Sequence, residues 1–281
     1  MALQDKYINP FTDFGFKKLF GSEPNKDLLI DFLNQVLPVQ RRIRNLTYAK
    51  NERLGKTSLD RKAIFDLYCI GENGERFIVE MQKAKQNYFK DRSVYYASFP
   101  IQEQGQRGDW DFQLSEVYTV GILDFVFDED QKEAQVRHEV QLKDQHCRVF
   151  YDKLTFIYLE MPNFTKTEEE LETTFDKWMY VLKHLPDLER RPLALQERVF
   201  EKLFSVAEIA KFTPEERKRY EQSLKQYRDL KNVIDTSYLE GKAEGKAEEK
   251  SEIARQMKAD GEPVEKIRRY TGLTEEEIAG L

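Results

Sequence analysis

Two β-rich segments separated by a glycine-containing loop constrain the fold of this chain more than any other feature. The first runs from Ala63 to Ile70 and the second from Arg76 to Gln82, and β-branched and aromatic residues dominate both. The five residues between them, Gly71-Glu72-Asn73-Gly74-Glu75, are typical of a turn. The pattern therefore predicts a β-hairpin.

Three polar residues, Asp66, Glu80 and Gln82, interrupt these strands where apolar residues are expected. Glu80 and Gln82 are two positions apart on one strand, so their side chains lie on the same side of the sheet. The position of Asp66 depends on the turn. A two-residue Asn73-Gly74 turn pairs residue 66 with 81, which sets Asp66 on the other face. A three-residue loop with Gly74 in a left-handed conformation pairs residue 66 with 80.

In the second arrangement two carboxylates face each other across the hairpin. Such a pair repels by a few tenths to about 1 kcal/mol unless it shares a proton or holds a cation. Mg²⁺, which favours carboxylates, waters and phosphate oxygens, is the expected ion. The other interpretation is that Asp66 and Glu80 are solvent-facing residues of an ordinary hairpin.

The rest of the first half of the chain completes a sheet with helices. Further strands are predicted at residues 43–48, 117–127, 139–142 and 154–159, and helices at 25–37 and 83–104. The run 117–127 is the most apolar, which indicates a buried central strand. Asp13 is expected to cap the first helix, and the alternative is a distant acidic contribution to a site. Together these elements predict an α/β or α+β domain that ends near Pro162.

After Pro162 the sequence is almost wholly helical in pattern. Helices are predicted at 168–184, at 193–212 and from Pro214 into the 240s, followed by short helices at 264–270 and 274–278. Residues 240–248 repeat glycine, lysine and glutamate on a four-residue step and have almost nothing to bury. We therefore divide the chain into a domain at 1–162, a helical region at 163–235 and a charged helical tail at 236–281.

The composition and the absence of several known motifs exclude some classes of function. The 281 residues include 51 Asp and Glu against 45 Lys and Arg, a net charge of -6, so a general nucleic-acid coat is not expected, although a local basic site is compatible. Motifs typical of zinc peptidases, serine hydrolases, ATPases and dinucleotide-binding enzymes do not occur. Cys69 and Cys147 form no CxxC and are expected to be small buried residues. With neither a membrane-spanning segment nor a signal peptide, the expected location is the cytoplasm.

Several segments, taken in order, resemble one family. Residues 11–21 (FTDFGFKKLFG), the pair Phe65-Asp66, residues 77–82 (FIVEMQ), and the tail segments 252–258 and 271–278 are similar to the PD-(D/E)XK nuclease family transposases, also called recombination-promoting nucleases. Their order and spacing carry the resemblance, since no single motif is diagnostic.

This resemblance implies a fold, a site and an activity. The fold is α/β, a restriction-endonuclease-like mixed sheet flanked by helices, with a C-terminal helical extension. Asp66 and Glu80 would ligate Mg²⁺, or Mn²⁺, beside the scissile phosphate, and Gln82 would be the third catalytic residue. The implied function is a metal-dependent DNA endonuclease that hydrolyses phosphodiester bonds and promotes DNA recombination.

Gln82 stands where the wider superfamily usually has a lysine, so its amide cannot supply positive charge. The metal, Lys83 or Lys85 would supply it, or activity would be weak. Arg92 could contact a phosphate and Gln104 could orient a metal-bound water, although the pattern of each residue taken singly favours an ordinary role, with Arg92 paired on the surface.

A non-catalytic function is the alternative. A nuclease fold that is catalytically weak or inactive would bind DNA or a protein partner. In either case the helical C-terminal region would serve as the element through which copies of the chain form a homo-oligomer.

Overall fold

The computed structural model describes residues 5–50, 52–53, 63–105, 110–126 and 134–281, with 52–53 and 63–64 described in their backbone only. The end of the strand predicted at 117–127 therefore lies outside the described residues.

Six strands form one mixed sheet in the order β1-β4-β5-β6-β8-β7, and β2 and β3 form a separate two-stranded sheet. Strands β5, β6 and β8 are parallel, and β1, β4 and β7 run antiparallel to their neighbours. The strands are β1 (Leu46–Tyr48), β2 (Glu52–Arg53), β3 (Ala63–Ile64), β4 (Leu67–Gly71), β5 (Arg76–Gln82), β6 (Val117–Leu123), β7 (Arg137–Lys143) and β8 (Val149–Glu160). The mixed sheet with flanking helices confirms the predicted fold class.

Eight α-helices accompany the strands in the described part of the chain. They are α1 (Asp13–Phe20), α2 (Lys26–Val36), α3 (Phe89–Gln102), α4 (Thr174–His184), α5 (Arg198–Ala207), α6 (Pro214–Ala259), α7 (Val264–Thr271) and α8 (Glu275–Gly280). The helix predicted at 83–104 begins later than expected, because residues 83–88 form the connection between β5 and α3.

The β4–β5 hairpin adopts the three-residue loop. Ile70 pairs with Arg76, and the Gly71 N–H donates to the Glu75 carbonyl at 2.9 Å. Gly74 has a φ of 88°, a conformation that glycine adopts without the steric cost of a side chain. The register Leu67 to Val79, continued by one residue, sets Asp66 opposite Glu80. The second of the two predicted arrangements is therefore confirmed.

The central strand predicted from the apolar run is confirmed as β6. It lies between β5 and β8, and all seven of its residues are buried. Its neighbour β7 is the edge strand expected from its polar sequence.

The two faces of the sheet are covered by different helices. The β4 and β5 residues Leu67, Cys69, Phe77, Val79 and Met81 belong to the large core that includes residues of α1, α2, α4 and α5. On the opposite face Tyr68 and Ile78 pack with Phe65 and the α3 residues Tyr96 and Phe99. The face that carries Glu80 and Gln82 is therefore the α3 face.

Two sequence predictions about single residues were wrong. Thr12, not Asp13, caps α1, because its Oγ1 accepts the Gly15 N–H at 2.9 Å. Cys147 is exposed in the β7–β8 turn, whereas Cys69 is buried as expected. Cys147 is exposed because it lies between the end of β7 and the start of β8, which are themselves largely exposed.

The described chain divides into two compact units, residues 1–227 and 228–281. In the first unit Trp178 of α4 packs against Phe32 and against Phe200 of α5, with ring centroids 5.6 and 5.3 Å apart. In the second unit Ala254, Ile267 and Ile278 form a small core of their own. Boundaries near 162 and 235 stay predictions. No helix among the described residues is long and apolar enough to span a membrane.

Candidate active site

Asp66 lies immediately before β4 and is held by the backbone of the neighbouring strand. Its Oδ2 accepts the Met81 N–H at 2.8 Å. The side chain is half-buried and lines a groove beside α1. This hydrogen bond fixes the carboxyl group at the end of the hairpin, next to Glu80 in the register.

Glu80 is a buried carboxylate, with a relative exposure of 9%. Its Oε2 accepts the Gln82 side-chain N–H at 2.8 Å. Its Oε1 is buried and has no hydrogen-bond partner among the described residues, and the same holds for the Thr119 hydroxyl on β6. Both side chains line a cavity of about 10 Å³, which has room for at most one water-sized particle. An unpartnered buried carboxylate oxygen is costly unless a proton or a cation compensates it.

Both carboxyl groups resist ionisation. Burial, followed by the charge of Asp66, raises the pKa of Glu80 to about 8, although Arg92, the Asp66 backbone and the Gln82 amide oppose the shift. Burial also raises the pKa of Asp66, against the Met81 N–H and the charge of Lys17. Two neighbouring acids with raised pKa values favour a shared proton or a bound cation over two bare charges.

A chain of hydrogen bonds links Glu80 to Gln82 and Gln82 to Arg92. The Gln82 Oε1 accepts from the Arg92 guanidinium, and the Gln82 Nε2 donates to Glu80. Arg92 also donates to Gln86 and lies over the Tyr96 ring, 5.6 Å from its centroid. Arg92 therefore acts on Glu80 through Gln82 and is occupied by protein partners rather than turned freely to a phosphate.

The two candidate lysines lie in different surroundings. Lys83 is half-buried, and burial lowers its pKa while the charges of Asp13 and Asp66 oppose that shift. It therefore belongs to the α1 side of the hairpin, away from Glu80, as expected from the alternation of the strand. Lys85 is exposed in the connection to α3. A supporting role for Lys85 remains a prediction.

Gln104 lies far from the carboxylates along the sheet. Its Oε1 accepts the Ser115 N–H at 2.6 Å and its amide donates to the Pro100 carbonyl. Ser115 precedes Val117 at the start of β6, whereas Glu80 pairs with Gly121. Four residues of strand, about 13 Å, separate Val117 from Gly121, and Ser115 lies two residues further away. Gln104 therefore connects α3 to the start of β6, whereas Glu80 lies beside the later part of that strand. At this position Gln104 is too far from Glu80 to orient a water there.

Sequence reasoning considered Asp13 of α1 for the site but missed Lys17. Asp13 and Lys17 form an ion pair of 2.7 Å and line the same groove as Asp66. The charge of Lys17 favours the ionised form of the Asp66 carboxyl group. The spacing of four residues between Asp13 and Lys17 was visible in the sequence, but nothing local indicated that α1 would pack beside Asp66.

The donor set fits a small divalent cation. No group of three or more His, Cys, Asp or Glu side chains arranged to hold a metal exists among the residues that the structure describes. Asp66 and Glu80 lie opposite each other in the hairpin register, Asp66 beside the α1 groove and Glu80 beside the small cavity on the α3 face. Mg²⁺ is commonly held by one or two carboxylates together with waters and substrate phosphates. The unpartnered Oε1 of Glu80 is the oxygen that such an ion would satisfy.

A comparison of the sequence with known protein families assigns this chain to one of them. Residues 10–237 match the family described as PD-(D/E)XK nuclease family transposase. The chain belongs to this family. The matched range includes the hairpin, α1, α3 and the start of α6. No curated protein and no solved structure gives a significant match. The family assignment confirms the resemblance found in the sequence. Membership in this family suggests nuclease activity in general terms.

Proposed function

We propose that this protein is a metal-dependent DNA endonuclease that hydrolyses phosphodiester bonds. The observation that carries the proposal is the hairpin register, which sets Asp66 opposite Glu80 while one buried Glu80 oxygen has no partner among the described residues. Family membership supports a nuclease chemistry. It also supports a role in DNA recombination, which requires such cleavage.

Asp66 and Glu80 would hold Mg²⁺ or Mn²⁺ through their carboxylate oxygens. When bound, such an ion lowers the pKa of a coordinated water and neutralises charge on the phosphate. Asp66 is kept in place by the Met81 N–H, and Glu80 by Gln82. These hydrogen bonds position both carboxylates before a substrate arrives, so little reorganisation is needed.

Positive charge near the phosphate must come from a residue other than Gln82. The Gln82 amide already bridges Glu80 and Arg92, and it is neutral. Lys17 and Lys83, by contrast, both influence the charge of Asp66. We assign to them the stabilisation of negative charge on the Asp66 side of the site.

Plasmid nicking tests the proposal. The wild-type chain is incubated with supercoiled plasmid and Mg²⁺ or Mn²⁺, beside Asp66→Asn, Glu80→Gln and the control Glu72→Gln. Glu72 is an exposed carboxylate in the loop of the same hairpin, so the control makes the same chemical change. We expect the site variants to lose at least about 100-fold in rate and the control to cut normally. Equal nicking by the wild type and an Asp66→Ala, Glu80→Ala double variant would contradict the proposal.

The alternative is a nuclease fold that binds DNA or a protein without cutting. The specific observation in its favour is Gln82, which occupies the lysine position with an amide engaged on both sides. Calorimetric titration separates the two functions. Heat of Mg²⁺ or Mn²⁺ binding that disappears in Asp66→Asn supports the enzyme, whereas DNA affinity that is independent of metal, with no metal binding, supports the alternative.

We also propose that the C-terminal helical region joins copies of the chain. Between residues 228 and 250, α6 exposes Leu230 by 41% and Val233, Tyr238 and Leu239 by 64% each. Burial of these side chains against a second copy would be favourable. Light scattering should give a multiple of the 33.4 kDa chain mass that falls in a Leu230→Ser, Val233→Ser variant but not in Lys231→Ser, Asn232→Ser, which changes the opposite side of the helix. A monomeric wild type would contradict this proposal.

A further inference from the structure

A groove of about 1000 Å³ runs beside Asp66 within the unit of residues 1–227. Its walls are α1, the end of β1, the start of β4 and the first turns of α6. The α6 residues on its wall lie on one helix face and extend from Glu216 to Gln226. Ten residues of helix span about 15 Å, the axial length of roughly four phosphates of one DNA strand.

The charge of the groove differs in sign from that of the whole protein. Among the described residues it is lined by four basic side chains, Lys17, Lys18, Lys211 and Arg219, and by three acidic ones, Asp13, Asp66 and Glu216. The full chain has a net charge of -6. This excess of one positive charge makes the groove more favourable for a polyanion than a surface with the average charge of the protein.

Arg219 is the cation of the groove most ready to bind an anion. Its side chain is exposed, and its guanidinium lies 5.5 Å from the centroid of the Phe14 ring. Within the described part of the chain no carboxylate pairs with it. The ring holds the guanidinium in place while its N–H groups stay available, which suits a phosphate contact.

The remaining lysines have protein partners that a phosphate could replace. Lys17 pairs with Asp13 at 2.7 Å and Lys18 with Glu216 at 2.5 Å. All four of these side chains are partly exposed, and pairs of this kind contribute only about 0–1 kcal/mol. Exchanging such a partner for a phosphate oxygen therefore costs little.

The aromatic residues on the walls do not offer a stacking platform. Phe14 and Tyr68 are buried, and Tyr48 and Phe212 are half-buried. The Tyr48 hydroxyl donates to the Phe20 carbonyl, which fixes that ring in the wall. Recognition in this groove would thus depend on the phosphate backbone and would carry little sequence preference.

We propose that this groove binds the sugar-phosphate backbone of a DNA strand, with Arg219 as a principal phosphate contact, and leads the strand to Asp66 from the α1 side. The inference rests on the proposed function, because it takes DNA as the substrate. It adds the path of the strand, a binding residue on α6 and a sequence-independent mode of recognition.

Anisotropy of labelled DNA tests the groove without requiring cleavage. The full chain is titrated with a short duplex and with its single strand, in EDTA, over a range of salt concentrations. Arg219→Gln is compared with Arg217→Gln, a basic residue exposed on the same helix that does not line the groove. We expect Arg219→Gln to weaken binding several-fold and to lower the salt slope by about 0.9 for duplex or about 0.7 for single strand. Circular dichroism verifies that both variants are folded.

The outcomes separate this inference from the nuclease proposal. Equal DNA affinities and equal salt slopes for the two variants, or no DNA binding by the wild type, would contradict the proposal that this groove binds DNA. If the wild type nicks plasmid but Arg219→Gln binds DNA like Arg217→Gln, the nuclease proposal is supported and DNA binding in the groove is contradicted. If only Arg219→Gln loses affinity for DNA and the wild type does not nick plasmid, DNA binding in the groove is supported and the nuclease proposal is contradicted.

Discussion

At the scale of single residues, Glu80 has a placement that is unfavourable for folding and useful for binding a cation. It is buried, one of its oxygens has no partner among the described residues, and Asp66 lies opposite it in the hairpin register. A side chain of this kind destabilises the fold when it is ionised without compensation. Bound Mg²⁺ would remove that cost, so folding and ion binding should be coupled.

The stability of the metal-free protein should therefore fall with rising pH because of Glu80. Its pKa rises from an ordinary 4.5 to about 8, through burial first and the Asp66 charge second. The protonated folded form is favoured, so this contribution is fully present below about pH 4.5 and is lost as the pH passes through 8. Glu80→Gln, which stays neutral, should be more stable than the wild type at pH 9 by on the order of a few kcal/mol and similar to it at pH 5.

Urea unfolding in EDTA at the two pH values measures this difference. Glu72→Gln, the exposed carboxylate in the same hairpin, serves as the control and should follow the wild type at both. A difference between Glu80→Gln and the wild type that does not change with pH would show that Glu80 is ionised or solvated in the folded state.

Gly121 is the second residue on which the site depends. It lies on β6 beside Glu80, and a Cβ built there would meet the Tyr158 ring at 3.0 Å. Tyr158 packs against Phe89 and Phe156 and has little freedom to move. Gly121→Ala should therefore destabilise the protein by about 1–3 kcal/mol. Thermal unfolding checks this, and Gly241→Ala, which meets no atom within 4 Å on α6, should be neutral or stabilising.

At the scale of elements, the β4–β5 hairpin decides whether the two carboxylates meet. Its loop sets the register, and a slip of one residue would move Asp66 to the other face. The loop in turn depends on Gly74 at a φ of 88°. The strand pattern and the turn residue thus act together, and neither would place Asp66 opposite Glu80 alone.

Replacing Gly74 should weaken the hairpin. Gly74→Ala puts a Cβ into the left-handed region and within 3.0 Å of the Ser115 Oγ, so we expect a loss of about 1–2 kcal/mol. Gly74→Asn should lose less, since asparagine tolerates this conformation better. Chemical unfolding of both variants tests the prediction, and equal losses would mean that the contact with Ser115 rather than the backbone conformation is limiting.

At the scale of the whole molecule, the helices after Pro162 complete the sheet domain. Trp178 of α4 contacts Phe20 and Phe32, and Tyr220 of α6 accepts the Asn9 N–H at 2.9 Å. The N-terminal segment and α1 are therefore held by residues that lie far away in the sequence. The groove beside Asp66 exists because α6 returns to α1.

A fragment of residues 1–227 should consequently fold, whereas a fragment of residues 1–162 should not. The shorter fragment loses Trp178, Phe200 and their neighbours and would expose the apolar face formed by α1 and α2. Circular dichroism and urea unfolding of both fragments test this expectation. A cooperative transition in the 1–162 fragment would instead support the boundary predicted near Pro162.

Several features of this protein follow from short-range patterns in its amino-acid sequence. β-branched and aromatic residues set the limits of β5, the turn residues limited the hairpin to two registers, and the apolar run identified β6 as central. The motif segments also identified the family, which the match over residues 10–237 confirmed. These features follow from side-chain periodicity and backbone preferences within a few residues of each other.

The residues that surround the carboxylates, by contrast, are brought there by packing between elements that are far apart in the chain. Lys17 is far from Asp66 in sequence but lines the same groove, whereas Gln104 belongs to the predicted helix and yet lies at the other end of β6. The burial of the Glu80 oxygen and the position of Arg219 likewise depend on how helices pack on the sheet. No local period encodes that packing, because it results from burying apolar surface between elements far apart in the chain.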